Sequence, residues 1–230
     1  MSKRNKLQKF AELLSFPNVY ENFEAKNPQL TGLNAMPVDM KGKWAKEHFG
    51  NDNPIVLELA CGRGEYTLGM ARMMPDKNFI GVDIKGARIW KGAGIALEEE
   101  LNNAAFLRTR IEQIAHFFAA GEIDEIWITF PDPFLRKSKA NRRLTSARFL
   151  GEYKKILKKD GLIHLKTDSP QLFEFTLETL ETYEGAEILY QDADIYSRPL
   201  PIPELGLKTY YEGLHISGDD TIKYVRFRIV

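Results

Sequence analysis

A chain of 230 residues with 43% apolar residues, 28% charged residues and zero formal net charge has the composition of a globular α/β protein with one substantial core. It holds no apolar run long enough to cross a bilayer, and its opening MSKRNKLQKF lacks the apolar centre of a signal peptide, so a cytoplasmic location without a membrane partner is expected. Cys61 is the only cysteine, which excludes an internal disulfide and a thiolate metal cluster, and no metal is expected.

Residues 1–53 read as a basic, partly flexible N-terminal extension. Lys3, Arg4, Lys6 and Lys9 cluster at its start, Pro17, Pro28 and Pro37 interrupt it, and a short helix is expected over Lys41–Phe49. From 54 to 230 the pattern alternates strands with amphipathic helices, the signature of a parallel sheet covered on both faces. Strands are expected near 55–60, 78–83, 104–108, 123–129, 161–167, 186–190 and 221–229, and helices over 64–74, 86–101, 111–119, 142–158 and 169–182. In Val225-Arg226-Phe227-Arg228-Ile229 apolar and basic residues alternate, which predicts an antiparallel last strand with one wet face or at an edge. The expected fold is thus a seven-stranded, mostly parallel sheet with that antiparallel strand closing it.

The first strand runs into Ile55-Val56-Leu57-Glu58-Leu59-Ala60-Cys61-Gly62-Arg63-Gly64-Glu65, and the second ends in Gly81-Val82-Asp83. Gly62 and Gly64 permit a tight turn and close backbone approach to a ligand, and the helix that follows aims its free amides at the same place. Asp83 ends its strand where a ribose would offer hydroxyls. Glu58 separates the candidate cofactors, because a carboxylate beside the turn repels a pyrophosphate and attracts the cationic donor S-adenosyl-L-methionine. The third fingerprint glycine is also missing, with Thr67 in its place. Cys61 reads as a small residue tolerated in the turn or as a reactive thiol.

The fourth strand delivers Phe130-Pro131-Asp132-Pro133-Phe134 to the carboxyl edge, where open α/β sheets bind ligands. Two prolines stiffen the backbone around Asp132, whose carboxylate suits the N1 and exocyclic amino groups of a guanine, and Phe130 or Phe134 could stack on the base. Between Arg136 and Lys159 stand ten basic residues against the single acid Glu152. This run is either a solvated helix face or a grip on a polyanion, with Lys137, Lys139, Arg142 and Arg143 as the candidate RNA contacts. Asp168, after the fifth strand, either joins the same edge or caps the helix that starts before Pro170. The long segment from Asp192 to Gly218 carries Tyr210 and Tyr211 and reads as a functional loop.

Taken together, LELACGRGEY, GVD, FPDPF with its basic successor, LKTD and the late Lys208-Thr209-Tyr210-Tyr211-Glu212 resemble the bacterial tRNA (guanine-N7-)-methyltransferases over roughly residues 40–215. The resemblance implies a Rossmann-like class I methyltransferase fold, S-adenosyl-L-methionine as cofactor, and tRNA as partner, methylated at a guanine of the variable loop. It implies that Glu58 and Asp83 contact the cofactor, that Asp132 contacts it and is catalytic, and that Asp168, Thr209, Tyr210, Tyr211 and Glu212 contact substrate. Arg110 stands where the family usually has an acid near the adenine, and Arg136 where it has the lysine of Trp-Pro-Lys; both are carried as cofactor and substrate contacts respectively. The alternatives are a methyltransferase for another RNA or a small molecule, or a non-catalytic RNA-binding protein, as a monomer or homodimer.

Overall fold

The computed structural model describes residues 5–210, 212 and 221–230. It opens with helix α1 (Lys6–Leu13), started by a capping box in which the Asn5 side chain accepts from the Gln8 amide at 2.9 Å and the Gln8 side chain accepts from the Asn5 amide at 2.9 Å. Strands β1 (Val19–Glu21), β2 (Leu30–Thr31) and β3 (Pro37–Val38) follow. A single turn of π-helix, Trp44–His48, occupies the short helix expected there. It is anchored by the buried indole of Trp44, whose Nε1 donates to the Phe117 carbonyl at 2.8 Å.

By contacts the chain forms two compact units, Met1–Ala119 and Ala120–Val230. In the first, β4 (Ile55–Leu59) is buried at all five positions and leads through the glycine turn into α2 (Glu65–Met73). Then come β5 (Asn78–Asp83), α3 (Gly86–Glu98), β6 (Ala104–Arg108) and α4 (Ile114–Phe117). β4, β5 and β6 are parallel neighbours in that order, which sets Glu58 opposite Gly81 and Asp83 opposite Arg108. Their continuous apolar runs suit strands covered on both faces, each buried Leu or Ile contributing about 1.5–3 kcal/mol.

The extension, for which no strand was expected, contributes three short ones. β1 lies parallel to β6, with Val19 opposite Phe106, and β2 and β3 add antiparallel strands beyond it. Ten strands therefore occur among the described residues, where seven were expected. Strands of two or three residues are too short to show an alternation, and Val19-Tyr20-Glu21 is buried only because the edge of β6 is there to receive it.

The second unit contains β7 (Ile123–Thr129), α5 (Ala147–Lys154), β8 (Leu157–Thr167), α6 (Pro170–Thr182), β9 (Ala186–Asp192) and β10 (Lys223–Ile229), with the strands in the order β7-β8-β10-β9. β7 and β8 are parallel, and β10 is antiparallel to both its neighbours. The last strand is antiparallel as expected but lies inside the sheet, while the mostly exposed β9 takes the edge. Of its alternating cations, Arg228 reaches acids at the sheet margin, bonding Glu187 at 2.7 Å and Asp160 at 3.1 Å. Helix α5 is shorter than the 142–158 expected. Arg143 has extended backbone at its start, and Leu157 already pairs with Ile123 at its end.

Gly64 joins turn to helix at φ +71°, and a Cβ added there would sit 2.5 Å from the Phe106 ring. Gly64→Ala is expected to cost about 2–4 kcal/mol in urea unfolding, combining left-handed strain with overpacking. Gly50→Ala, at φ +66° with nothing within 4 Å, carries only the backbone cost of about 1–2 kcal/mol.

Candidate active site

The turn after β4 is built from left-handed residues: Ala60, Gly62 and Gly64 have φ of +59°, +58° and +71°. This winding returns the chain onto the strand ends, where the Cys61 amide donates to the Val82 carbonyl at 3.0 Å. Two acids meet there. Glu58 is buried and accepts from the Thr67 amide at 2.7 Å and from the Thr67 hydroxyl. Asp83, also buried, accepts from the Gly62 amide at 2.9 Å through one oxygen and from the Lys85 amide at 2.7 Å through the other. Each Asp83 oxygen is thus held in place by one amide with acceptor capacity left over.

Cys61 reports the field at this turn. Burial pushes its thiol well above the usual range, and the charges of Glu58, Asp83 and Glu65 push in the same direction. A buried, protonated thiol is a small apolar group, so the reactive alternative falls away. The negative field and the spare acceptor positions of Asp83 fit a cationic donor carrying a ribose; a pyrophosphate would be repelled. At the end of β6, the buried Thr109 accepts from the Asn22 side chain at 3.1 Å, while Arg110 is exposed and its side chain makes no hydrogen bond among the described residues.

In the second unit, parallel β7 and β8 deliver Phe130 to Phe134 and Asp168 to the same end, since Thr129 pairs with Lys166 and the Phe130 amide donates to the Lys166 carbonyl at 2.8 Å. Phe130 and Phe134 adopt φ of +47° and +42°, left-handed geometry that costs non-glycine residues about 1–2 kcal/mol each. Between them Asp132 is exposed, and its Oδ1 accepts from the Phe134 amide at 3.0 Å. The helix cap that could have claimed Asp168 belongs instead to Ser169, whose Oγ accepts from the Leu172 amide at 3.2 Å with Pro170 in the first turn. The Asp168 carboxylate has no hydrogen-bond partner among the described residues.

The basic run does not form one face. Arg136, Lys137 and Arg142 are exposed and Lys139 half-buried along a 3-10 segment spanning Lys137–Arg142, directly after the Asp132 turn. Further on, Lys155 pairs with Glu152 at 2.7 Å and Lys158 with Asp124 at 2.6 Å, which removes them from the cluster. Arg143, expected among the RNA contacts, is buried and turned onto the carbonyls of Pro133 and Phe134.

Lys166 was missed by sequence reasoning. Fully buried, its Nζ donates to Tyr196 Oη, the carbonyls of Leu205 and Leu207, and Glu212 Oε2, all within 2.9–3.0 Å, and lies 5.6 Å from the centre of the Phe130 ring. Burial lowers its pKa and Glu212 opposes that shift. Glu212, expected to contact substrate, is buried with its second oxygen accepting from Tyr196, so as found it ties Tyr196 to Lys166. Thr209 is buried and accepts from the Glu212 amide at 3.1 Å, Tyr210 is half-exposed, and Tyr211 lies outside the described residues.

The family described as putative methyltransferase matches residues 52–223. A tRNA (guanine-N(7)-)-methyltransferase of Bacteroides thetaiotaomicron is 50% identical over 226 residues, covering 98% of this chain and 86% of that one. The protein of the same name from Christiangramia forsetii is 49% identical over all of both chains. The chain belongs to the tRNA (guanine-N7-)-methyltransferase family. Among solved structures, the 16S rRNA methyltransferase KamB superposes with a TM-score of 0.60 at 15% identity, over 90% of this chain and 98% of that one. A 16S rRNA (adenine(1408)-N(1))-methyltransferase from Catenulisporales acidiphilia gives 0.58 at 16% identity, over 82% and 93%. At those identities the likeness establishes the methyltransferase fold, which agrees with the expected Rossmann-like class I architecture.

In this member of the methyltransferase family, Thr67 has a structural role that its position alone does not announce. It replaces the fingerprint glycine of dinucleotide sites, and its amide and hydroxyl hold Glu58. The missing glycine was visible in the sequence; what its replacement does was not. Thr67→Val removes the hydroxyl at nearly constant volume and leaves the buried carboxylate one donor short. A loss of about 1–3 kcal/mol is expected in urea unfolding.

Proposed function

We propose that this protein transfers the methyl group of S-adenosyl-L-methionine to N7 of a guanine in the variable loop of tRNA, in the cytoplasm. The observation that carries this reading is the negative field at the Gly62 turn, set by Glu58, Asp83 and Glu65, in a chain 50% identical over 98% of its length to a protein named for that activity. When bound, S-adenosyl-L-methionine supplies a methyl group on a sulfonium centre. Glu58, Asp83 and the turn at Gly62 and Gly64 would hold it, with the Asp83 oxygens taking the ribose hydroxyls and the carboxylate field favouring the cation. Arg110 is exposed beside the same strand ends and would lie along the adenine, where a charged edge is tolerated by open solvent.

Guanine N7 carries no proton, so no base has to act on it before it attacks. The work of the protein is therefore alignment and exclusion of water, for which positioning alone supplies on the order of 7–11 kcal/mol. Asp132 accepts from the N1 and amino groups of the guanine, directs N7 away from the bound edge, and stabilises the positive charge that develops on the ring. The prolines on both sides and the Phe134 amide hold that carboxylate before substrate arrives. Arg136, Lys137, Lys139 and Arg142 take tRNA phosphates, and Asp168, Thr209 and Tyr210 contact the nucleotide.

Mass spectrometry of nucleosides from tRNA incubated with the protein and labelled donor tests the activity, with 7-methylguanosine as the expected product. Methylation at any other atom refutes the reading. Asp132→Ala should lower turnover by about 10²-fold or more with donor affinity retained within several-fold by calorimetry. Arg142→Ala should weaken tRNA binding and reduce the slope of log affinity against log salt by roughly one.

A further inference from the structure

Arg143 is the one buried cation between Arg136 and Lys159. Its Nε donates to the Pro133 carbonyl at 2.9 Å and its Nη2 to the Phe134 carbonyl at 3.1 Å, and its guanidinium lies 4.4 Å from the centre of the Phe175 ring on α6. A planar fork stacked on an aromatic face and bonded to two successive carbonyls is a geometry that an ammonium cannot reproduce. With one face covered by Phe175 and two of its donors engaged, the group is poorly disposed to meet a phosphate.

The turn it grips needs an external support. Pro131 and Pro133 have no amide hydrogens, so the segment cannot close on itself through a backbone ladder. Its internal tie is the Phe134 amide to Asp132. Phe130 and Phe134 sit in left-handed conformations, which persist only where surrounding contacts over-determine them. The carbonyls that Arg143 binds are those of the residue after Asp132 and of the left-handed Phe134, so the fork sets the direction in which the Asp132 carboxylate leaves the backbone.

We propose that Arg143 is a positioning residue for Asp132, acting through the Pro133 and Phe134 carbonyls and not through tRNA. The proposal rests on the catalytic reading of Asp132 given above. It gives the neighbouring arginines different roles, since Arg142 faces outward and takes RNA while Arg143 faces inward and holds the turn.

The test compares Arg143→Lys, Phe175→Leu, Arg142→Ala and Asp132→Asn in the full chain, measuring kcat, KM for tRNA, and tRNA affinity as a function of salt. Arg143→Lys is expected to lower kcat about 10²-fold, the scale of a misplacement near 1 Å, with KM for tRNA within about twofold and an unchanged salt slope. Phe175→Leu should lower kcat several-fold with the same two quantities unchanged, and decides the matter should Arg143→Lys fail to fold. The double variant Asp132→Asn/Arg143→Lys should be no slower than Asp132→Asn, because the group being positioned is already gone. A kcat retained in Arg143→Lys or Phe175→Leu, losses that multiply in the double variant, or a salt slope reduced in Arg143→Lys as in Arg142→Ala would each overturn the proposal. Retained kcat in Asp132→Asn would instead overturn the reading of Asp132 itself, whatever the arginine variants do.

Discussion

Acids at the strand ends are held by backbone amides, and in each unit the rest of the candidate site depends on that constraint. Glu58 is tied to the Thr67 amide, Asp83 to those of Gly62 and Lys85, and Asp132 to that of Phe134. An amide donor fixes a carboxylate without cancelling its charge, as a lysine or arginine partner would. A negative field thus survives at the Gly62 turn, and the raised pKa of Cys61 registers it.

Cations are sorted by burial into different roles. Lys166 is fully enclosed and closes a long loop onto β8 through Tyr196, Leu205, Leu207 and Glu212. A buried ammonium has three N–H donors to satisfy and a charge to compensate; the carbonyls and hydroxyl serve the first need and the Glu212 carboxylate the second. Arg143 is enclosed by the turn and Phe175 and serves the backbone. Arg136, Lys137 and Arg142 remain in water, where a compact patch next to Asp132 offers a polyphosphate strand a local field that the zero net charge of the chain conceals.

Much of this was legible in the residues. The strands Ile55–Leu59, Asn78–Asp83, Ala104–Arg108 and Ile123–Thr129 lie where their apolar runs place them, since a parallel strand buried on both faces announces itself without reference to its neighbours. The strands β1–β3 did not, because their pairing with β6 is a property of an open edge and not of their own three or two residues. Helix α5 was overestimated for a related reason: Arg142 and Arg143 are good helix formers, and nothing local shows that a guanidinium ten residues after Pro133 is drawn back to its carbonyl.

The chain by itself determined the alternation of strand and helix, the acids and glycines of the cofactor turn, the rigid Phe-Pro-Asp-Pro corner and the presence of a basic run, because each depends on residue type and short spacing. Only the tertiary structure decided that Thr67 holds Glu58, that Ser169 and not Asp168 caps α6, that Lys166 and Glu212 pair across 46 residues, and that Arg143 turns inward while Arg142 does not. Those outcomes turn on which donor reaches which acceptor once the strands are aligned, and a hydrogen bond between distant residues leaves no periodic trace along the chain.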